Sequence, residues 1–161
     1  MELSHEQVAE FLHRSYHAVD GLWFMKVEER YGLEAALDLD NEVWKVVPKI
    51  QARALKSMAE VRDGLDALSQ CLATKLSLDG FEFAVNWDAR CDGFTVEVSR
   101  CPWHEAMLKS GREHLSGPIN SLICHTELSV WAAEFGAGIG FVQSDCICAG
   151  AERCLLRFAT G

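Results

Sequence analysis

The sequence is short of proline, with three in 161 residues, and of tyrosine, with two. Few prolines mean few obligatory breaks, so long helices are permitted. There is no uninterrupted apolar run near the roughly 18 residues that a membrane-spanning helix needs, and no membrane role is expected. There is no Lys/Arg cluster either. With 15 basic and 24 acidic residues the formal net charge is −9, spread as −5 over residues 1–80 and −4 over residues 81–161. A chain of that sign lacks the electrostatic footprint of a nucleic-acid binder and is repelled by anionic membranes. The opening residues Met1 to Glu6 carry neither the basic nor the apolar segment of a secretory signal. The cytoplasm is therefore the expected compartment. No repeat, low-complexity tract, Walker sequence, G-x-S-x-G or H-E-x-x-H is present. Apolar residues at 49% and charged residues at 24% describe an ordinary globular chain long enough for one domain, residues 1–161.

The hydrophobic pattern changes character near Gly80. Residues 1–79 read as helical. Ser4 with Gln7 makes a capping box, and Val8, Phe11, Leu12 and Val19 follow at helical spacing. Asp20 is placed as the cap of a second helix that stops at Gly32. A long apolar-periodic stretch runs from Leu33 to Val61, with Pro48 expected to kink or divide it. Asp63 is expected to cap a helix bearing Leu65, Leu68, Leu72 and Leu76, ending at Gly80. Trp23, Phe24 and Trp44 read as core.

Residues 80–161 mix strands and helices. Phe81, Phe83, Val85 and Trp87 alternate with polar or small residues, as do Phe94, Val96 and Val98, around Asp92-Gly93. That is a hairpin with one apolar face. Pro102 opens a short helix, and Pro118 a longer one reaching Gly136. Ile139–Cys146 and Cys154–Thr160 read as two more strands. The expected class is α+β: a helical N-terminal half with an antiparallel sheet of about four strands and a crossing helix.

What the chain does have is cysteine, seven in all. In a reducing compartment an odd number of thiols in a chain this size argues against disulfide staples. Cys71 reads as a core residue and Cys91 as an exposed, inert thiol beside a turn. Cys101, Cys124, Cys146 and Cys154 differ, because the predicted elements converge on them. Cys146 and Cys154 sit at the base of one hairpin, Cys124 on the helix crossing it, and Cys101 at a neighbouring strand end. Four thiolates from four elements make a closed tetrahedral site suited to zinc, or to a four-iron iron–sulfur cluster. A single buried cysteine is more often a small hydrophobe, and the spacing is not a paired C-x-x-C. On a continued strand Cys148 would face the same way as Cys146, so either is a candidate ligand. Trp103, His104 and Trp131 lie near this group and are the candidate ligand-binding residues. His104 is also placed to tune a thiolate. His125-Thr126-Glu127 has the H-x-E of zinc deaminases without the downstream P-C-x-x-C. Gly136, Gly138 and Gly140 follow a helix and precede a strand, the reverse of a dinucleotide fingerprint.

Two resemblances add to these readings. The stretch from Asp20 to Gly32, with Val43-Trp44, Pro48 to Arg53 and Cys101-Pro-Trp-His104, resembles a bacterial family grouped with the L-2-amino-thiazoline-4-carboxylate hydrolases. That implies ring opening of a cyclic C–N substrate and assigns no catalytic residue here. The stretch from Cys124 to Phe158 is similar to the four-vinyl-reductase-like domain, which binds small molecules in some bacterial sensors of aromatic compounds. The resemblance implies a zinc site from a helix Cys, a Glu-x-x-Cys and a Cys eight residues on. Cys124, Cys146 and Cys154 match it, with Gly150 in the turn. The Glu position holds Gln143, and the vacancy is one that Cys101 can fill.

The expectation is thus a cysteine-ligated metal protein that binds or hydrolyses a small molecule. An iron–sulfur protein and a non-enzymatic sensor module are the alternatives. The expected partners are a small-molecule ligand and, as an open option, a second copy in a homodimer. No nucleic acid is expected.

Overall fold

A computed structural model describes residues 1–161 and divides into two compact units, Met1–Glu42 and Val43–Gly161. The first unit is helical. Helix α1, His5–Tyr31, starts at the Ser4–Gln7 capping box, with both reciprocal hydrogen bonds present. It runs unbroken through Asp20, so the expected second start there does not occur. Nothing in the surrounding sequence stops a helix, and an aspartate inside one costs only a few tenths of a kcal/mol, about 0.7 at most. Gly32, at φ 89°, ends it. Trp23 is a correction: it is 69% exposed and no part of a core, whereas Phe24 is half-buried. Helix α2 spans Leu33–Trp44.

In the second unit Pro48 stands in the first turn of α3, Val47–Ala59, where its missing N–H costs nothing. The long apolar stretch is therefore divided, as expected. Helix α4 is Leu65–Leu78; its N-cap is Gly64 and not Asp63, whose carboxylate takes the Lys56 ammonium at 2.9 Å instead. Trp44 is buried.

Strands β1 (Glu82–Trp87), β2 (Gly93–Arg100), β3 (Ile139–Gln143) and β4 (Cys154–Thr160) form one antiparallel sheet in the order β1-β2-β4-β3. The hairpin β1–β2 forms in the expected place. Gly93 is required where β2 begins, because a Cβ there would meet the Phe158 carbonyl at 2.9 Å and Asp88 at 2.7 Å. Between β2 and β3 come α5 (Pro102–Lys109), a 3₁₀ turn Glu113–Leu115, α6 (Ser116–Ile119), a π-helical segment Asn120–Cys124, and α7 (His125–Phe135). That crossover seats β4 in the middle of the sheet. The helical run thus begins at Glu113, ahead of Pro118.

One sheet face carries Phe94, Val96 and Val98 of β2 opposite Phe158, Leu156 and Cys154 of β4. All six are buried, and α4 and α7 cover them with Leu68, Leu72, Leu76, Trp131 and Phe135. Period-two strands meet period-3.6 helices across this layer. Each fully buried large side chain there contributes about 1.5–3 kcal/mol from apolar surface removed from water. No helix is long and apolar enough to cross a membrane.

Candidate functional site

Five cysteines gather at the end of the sheet where β2 finishes and β4 starts. Cys101 follows β2 and stands at the N-terminus of α5. Cys124 closes the π-helical segment, a geometry frequent at functional positions. Cys154 is the first residue of β4, paired with Val98. Strand β3 ends at Gln143, earlier than expected, and the chain then turns through a 3₁₀ segment Ile147–Ala149. Gly150, at φ 93°, closes the turn in a conformation that favours glycine. Ala149 and Ala151 donate their amides to the Cys146 carbonyl at 3.0 and 3.1 Å. Cys146 and Cys148 therefore occupy a turn and not one strand face. Cys71 is buried in the core and Cys91 is exposed, both as expected.

The thiols act on one another. Cys146 is among the groups that push the Cys148 and Cys154 thiols up. The Ile147 amide donates to the Cys154 sulfur at 3.2 Å. Burial raises the Cys154 thiol to about 11; the Ile147 amide opposes this, and Cys146 and Cys101 add to it. Burial, then Cys146 and Cys101, push Cys148 up to about 12. Cys124 lies well above its ordinary value through burial, then through Glu127, Cys101 and Cys148. Cys101 is raised by burial, against which the His104 and Trp103 amides at the start of α5 and the Lys75 charge all act. Cys101 thus influences Cys124, Cys148 and Cys154 alike. Gln143 is engaged elsewhere, its amide nitrogen donating to Asn120 Oδ1 at 3.2 Å.

This donor set has the chemistry for a thiophilic ion: soft sulfurs, shielded from water, with amides directed at two of them. As folded, no three of these sulfurs lie within 4.8 Å of one another, so the expected closed set is not formed. Forming a tetrahedron would draw them inward. Burial first, and the neighbouring thiols after it, hold Cys101, Cys124, Cys148 and Cys154 above the ordinary thiol range.

His104, on the first turns of α5, is half-buried. Its Nδ1 lies 3.0 Å from Ser116 Oγ and 3.8 Å from Cys148 Sγ. The buried Ser116 hydroxyl also donates to the Met107 sulfur at 3.6 Å. With that proton directed to Met107, the hydroxyl receives Nδ1–H, and Nε2 is left as the acceptor nitrogen. Trp103 is half-buried. Trp131 is 0% exposed and stacks on Phe135 with centroids 6.0 Å apart. Its indole Nε1 has no hydrogen-bond acceptor.

Beside the sulfurs lies a group that sequence inspection missed. Lys75 of α4 is 5% exposed and binds Asp79 at 3.1 Å and Glu127 of α7. Both carboxylates are nearly buried. Burial pulls the ammonium down, but the two carboxylates outweigh it and hold the charge on. Lys75 and Asp79 are four residues apart, as are many helix ion pairs. Glu127 follows Cys124 by three. The pairing between the two helices has no local signal.

Residues 1–98 match the model of a family of unknown function, DUF6125, and the chain belongs to that family. No curated protein matches the sequence. Among solved structures, the chain is similar to the phenol-responsive sensory domain of the transcription activator PoxR, crystallised with phenol. The likeness has a TM-score of 0.50 at 12% identity and covers 89% of this chain and 73% of that one. At that identity what is shared is the fold.

Proposed function

We propose that this member of the DUF6125 family is a small-molecule-binding module, with Trp131, His104 and Trp103 facing the ligand and a cysteine-held zinc ion tying the sheet end to its helix. One observation carries the first part: the Trp131 indole N–H is wholly buried without an acceptor. A buried donor left unpaired costs about 1–3 kcal/mol, and indole N–H groups in cores ordinarily find a partner. An apolar ligand with one acceptor oxygen would supply it. His104 offers the complementary group, an Nε2 acceptor fixed by the Ser116 bond on the other nitrogen. The PoxR domain, whose fold this chain shares, was crystallised with phenol, a molecule with those two properties.

For the metal, Cys101, Cys124, Cys146 and Cys154 are the ligands we favour. Cys101 acts on three of the other thiols and takes the place of the carboxylate that Gln143 does not provide. Such a zinc is structural: with four protein ligands it has no open position. Hydrolysis is the weaker reading. Cys148 and Cys101, the thiols beside His104, are both raised by burial, whereas a nucleophilic cysteine is a lowered one.

Titration calorimetry with phenol and with benzene tests the ligand site. Phenol should bind saturably and at least tenfold more tightly than benzene, and Trp131→Phe should erase the difference while the far-ultraviolet spectrum is retained. Absence of saturable phenol binding, or an unaltered preference in the variant, overturns it. Metal and acid-labile sulfide analysis of anaerobically purified protein tests the metal. One zinc per chain in a colourless protein is expected; about four irons and four sulfides would select the cluster instead.

A further inference from the structure

Helix α1 turns its apolar side chains outward. None of its residues is buried. Val8, Phe11, Leu12, Val19, Leu22 and Trp23 are between 40 and 69% exposed. At about 100° per residue they fall, with Ser15, within one stripe along the helix. The opposite face carries His13, His17, Asp20 and Phe24, which are half-buried. Single exposed hydrophobes are ordinary, but a contiguous patch of them marks an interaction surface. With large apolar side chains spanning about 150–250 Å² each, the six at this exposure offer roughly 600–700 Å², close to the about 800 Å² a side that a standard interface buries.

We propose that this stripe is the contact between two copies of the chain, their α1 helices lying antiparallel across a two-fold axis. The spacing fits a second copy. Val8, Leu12, Ser15, Val19 and Leu22 alternate steps of four and three, the repeat that seats two helices along one seam. Antiparallel alignment sets Leu12 opposite the partner's Leu22 and Ser15 opposite the partner's Val19, and the two-fold repeats both layers. The charge fits as well. The chain carries a net −9, yet no Asp or Glu lies on the stripe between Val8 and Trp23; Glu10 and Asp20 fall outside it. Two acidic copies can therefore meet here without opposing carboxylates. Parallel pairing would set Lys26 against the partner's Lys26, whereas antiparallel pairing carries it to the partner's first turns. Ser15 is the one polar residue of the seam, and its hydroxyl donates to the Phe11 carbonyl at 2.8 Å. It is dehydrated without leaving a donor unpaired.

Sedimentation equilibrium of the full chain is the experiment. At about 100 µM the parent should sediment at twice the chain mass of 17.9 kDa. Leu12→Glu and Leu22→Lys each place a charge in the seam. Each should weaken self-association at least about 30-fold, the loss expected of a central anchor. Both side chains are exposed in the single chain, so the far-ultraviolet spectrum should be retained, and either variant alone tests the face. Mixing the two variants tests the orientation. Antiparallel helices bring the new carboxylate to the new ammonium and leave the remaining leucines together, so the mixture should recover the dimer. Parallel helices would set each charge against a leucine. A parent that stays monomeric overturns the proposal; should it then float with phosphatidylcholine vesicles, the stripe belongs to a membrane surface instead. Dimers undiminished in either folded variant overturn the face, and a mixture that stays monomeric overturns the antiparallel pairing.

Discussion

The two ends of the β2–β4 strand pair share one sheet face and differ in what holds them. At one end Phe94 lies opposite Phe158, the rings stacked at 5.1 Å, with Phe141 against Phe158 at 5.1 Å and Trp87 against Phe94 at 5.2 Å. At the other end Val98 lies opposite Cys154, and four more thiols arrive from loops and helix ends. The aromatic end is held by apolar surface removed from water, which acts the same whatever ion is present. The sulfur end is held by hydrogen-bonded thiols that resist ionisation. Its stability should depend on pH and, on the zinc reading proposed above, on what occupies it.

The largest expected effect comes from damaging the unconditional end. Phe158→Ala removes a wholly buried ring that makes two aromatic contacts, with Phe94 and with Phe141. It should cost about 3–5 kcal/mol in urea unfolding, equally with zinc and with chelator. A cost that shrank with zinc present would mean the two ends are not separable.

Second in size is Cys154→Ser. With zinc held at 100 times its dissociation constant, binding adds about 2.7 kcal/mol to folding. The variant should lose that increment, read as the difference between melting with zinc and with chelator. Cys148→Ser should keep it, because Cys148 is the fifth sulfur and lies outside the favoured ligand set. The reverse result would exchange the roles of Cys146 and Cys148, since one thiol of that turn would then be spare and the other not.

The contrast also explains what was legible in the sequence. The aromatic end follows from alternation: Phe94, Val96 and Val98, then Leu156 and Phe158, sit two residues apart and face one way by strand geometry alone. The α+β class, the Pro48 division and the helix from Pro102 are local in the same sense. The sulfur end is not local. Its members were identifiable as cysteines, but their convergence depends on where β3 stops, on a π-helical segment at Asn120–Cys124, and on a turn shaped by Gly150. Lys75 and Ser116 escaped notice because Glu127, and His104 with Met107, reach them from other elements. Trp23 was misread because an aromatic at helical spacing looks the same whether its face is covered or bare.

The smallest effect is the pH response of the sulfur end, and its sign separates a thiol cluster from a thiolate one. In protein freed of zinc by chelator, Cys154 and Cys148 ionise at about 11 and about 12, above an ordinary value of 9.0. A group whose folded value is raised stabilises fully below its unfolded value and loses that contribution as pH rises through the folded one. The melting temperature of the chelated chain should therefore hold level to about pH 9 and fall between about pH 9 and 12. Partial solvent access to Cys148 makes this a modest fall. The double variant Cys148→Ser, Cys154→Ser should flatten it, leaving whatever slope the lysines and tyrosines contribute. With zinc bound the dependence should invert, because protons compete with the metal for sulfur and stability is lost towards acid. A chelated chain that gains stability as the pH rises towards about 9 and is level above it would mean instead that the sulfurs rest as thiolates.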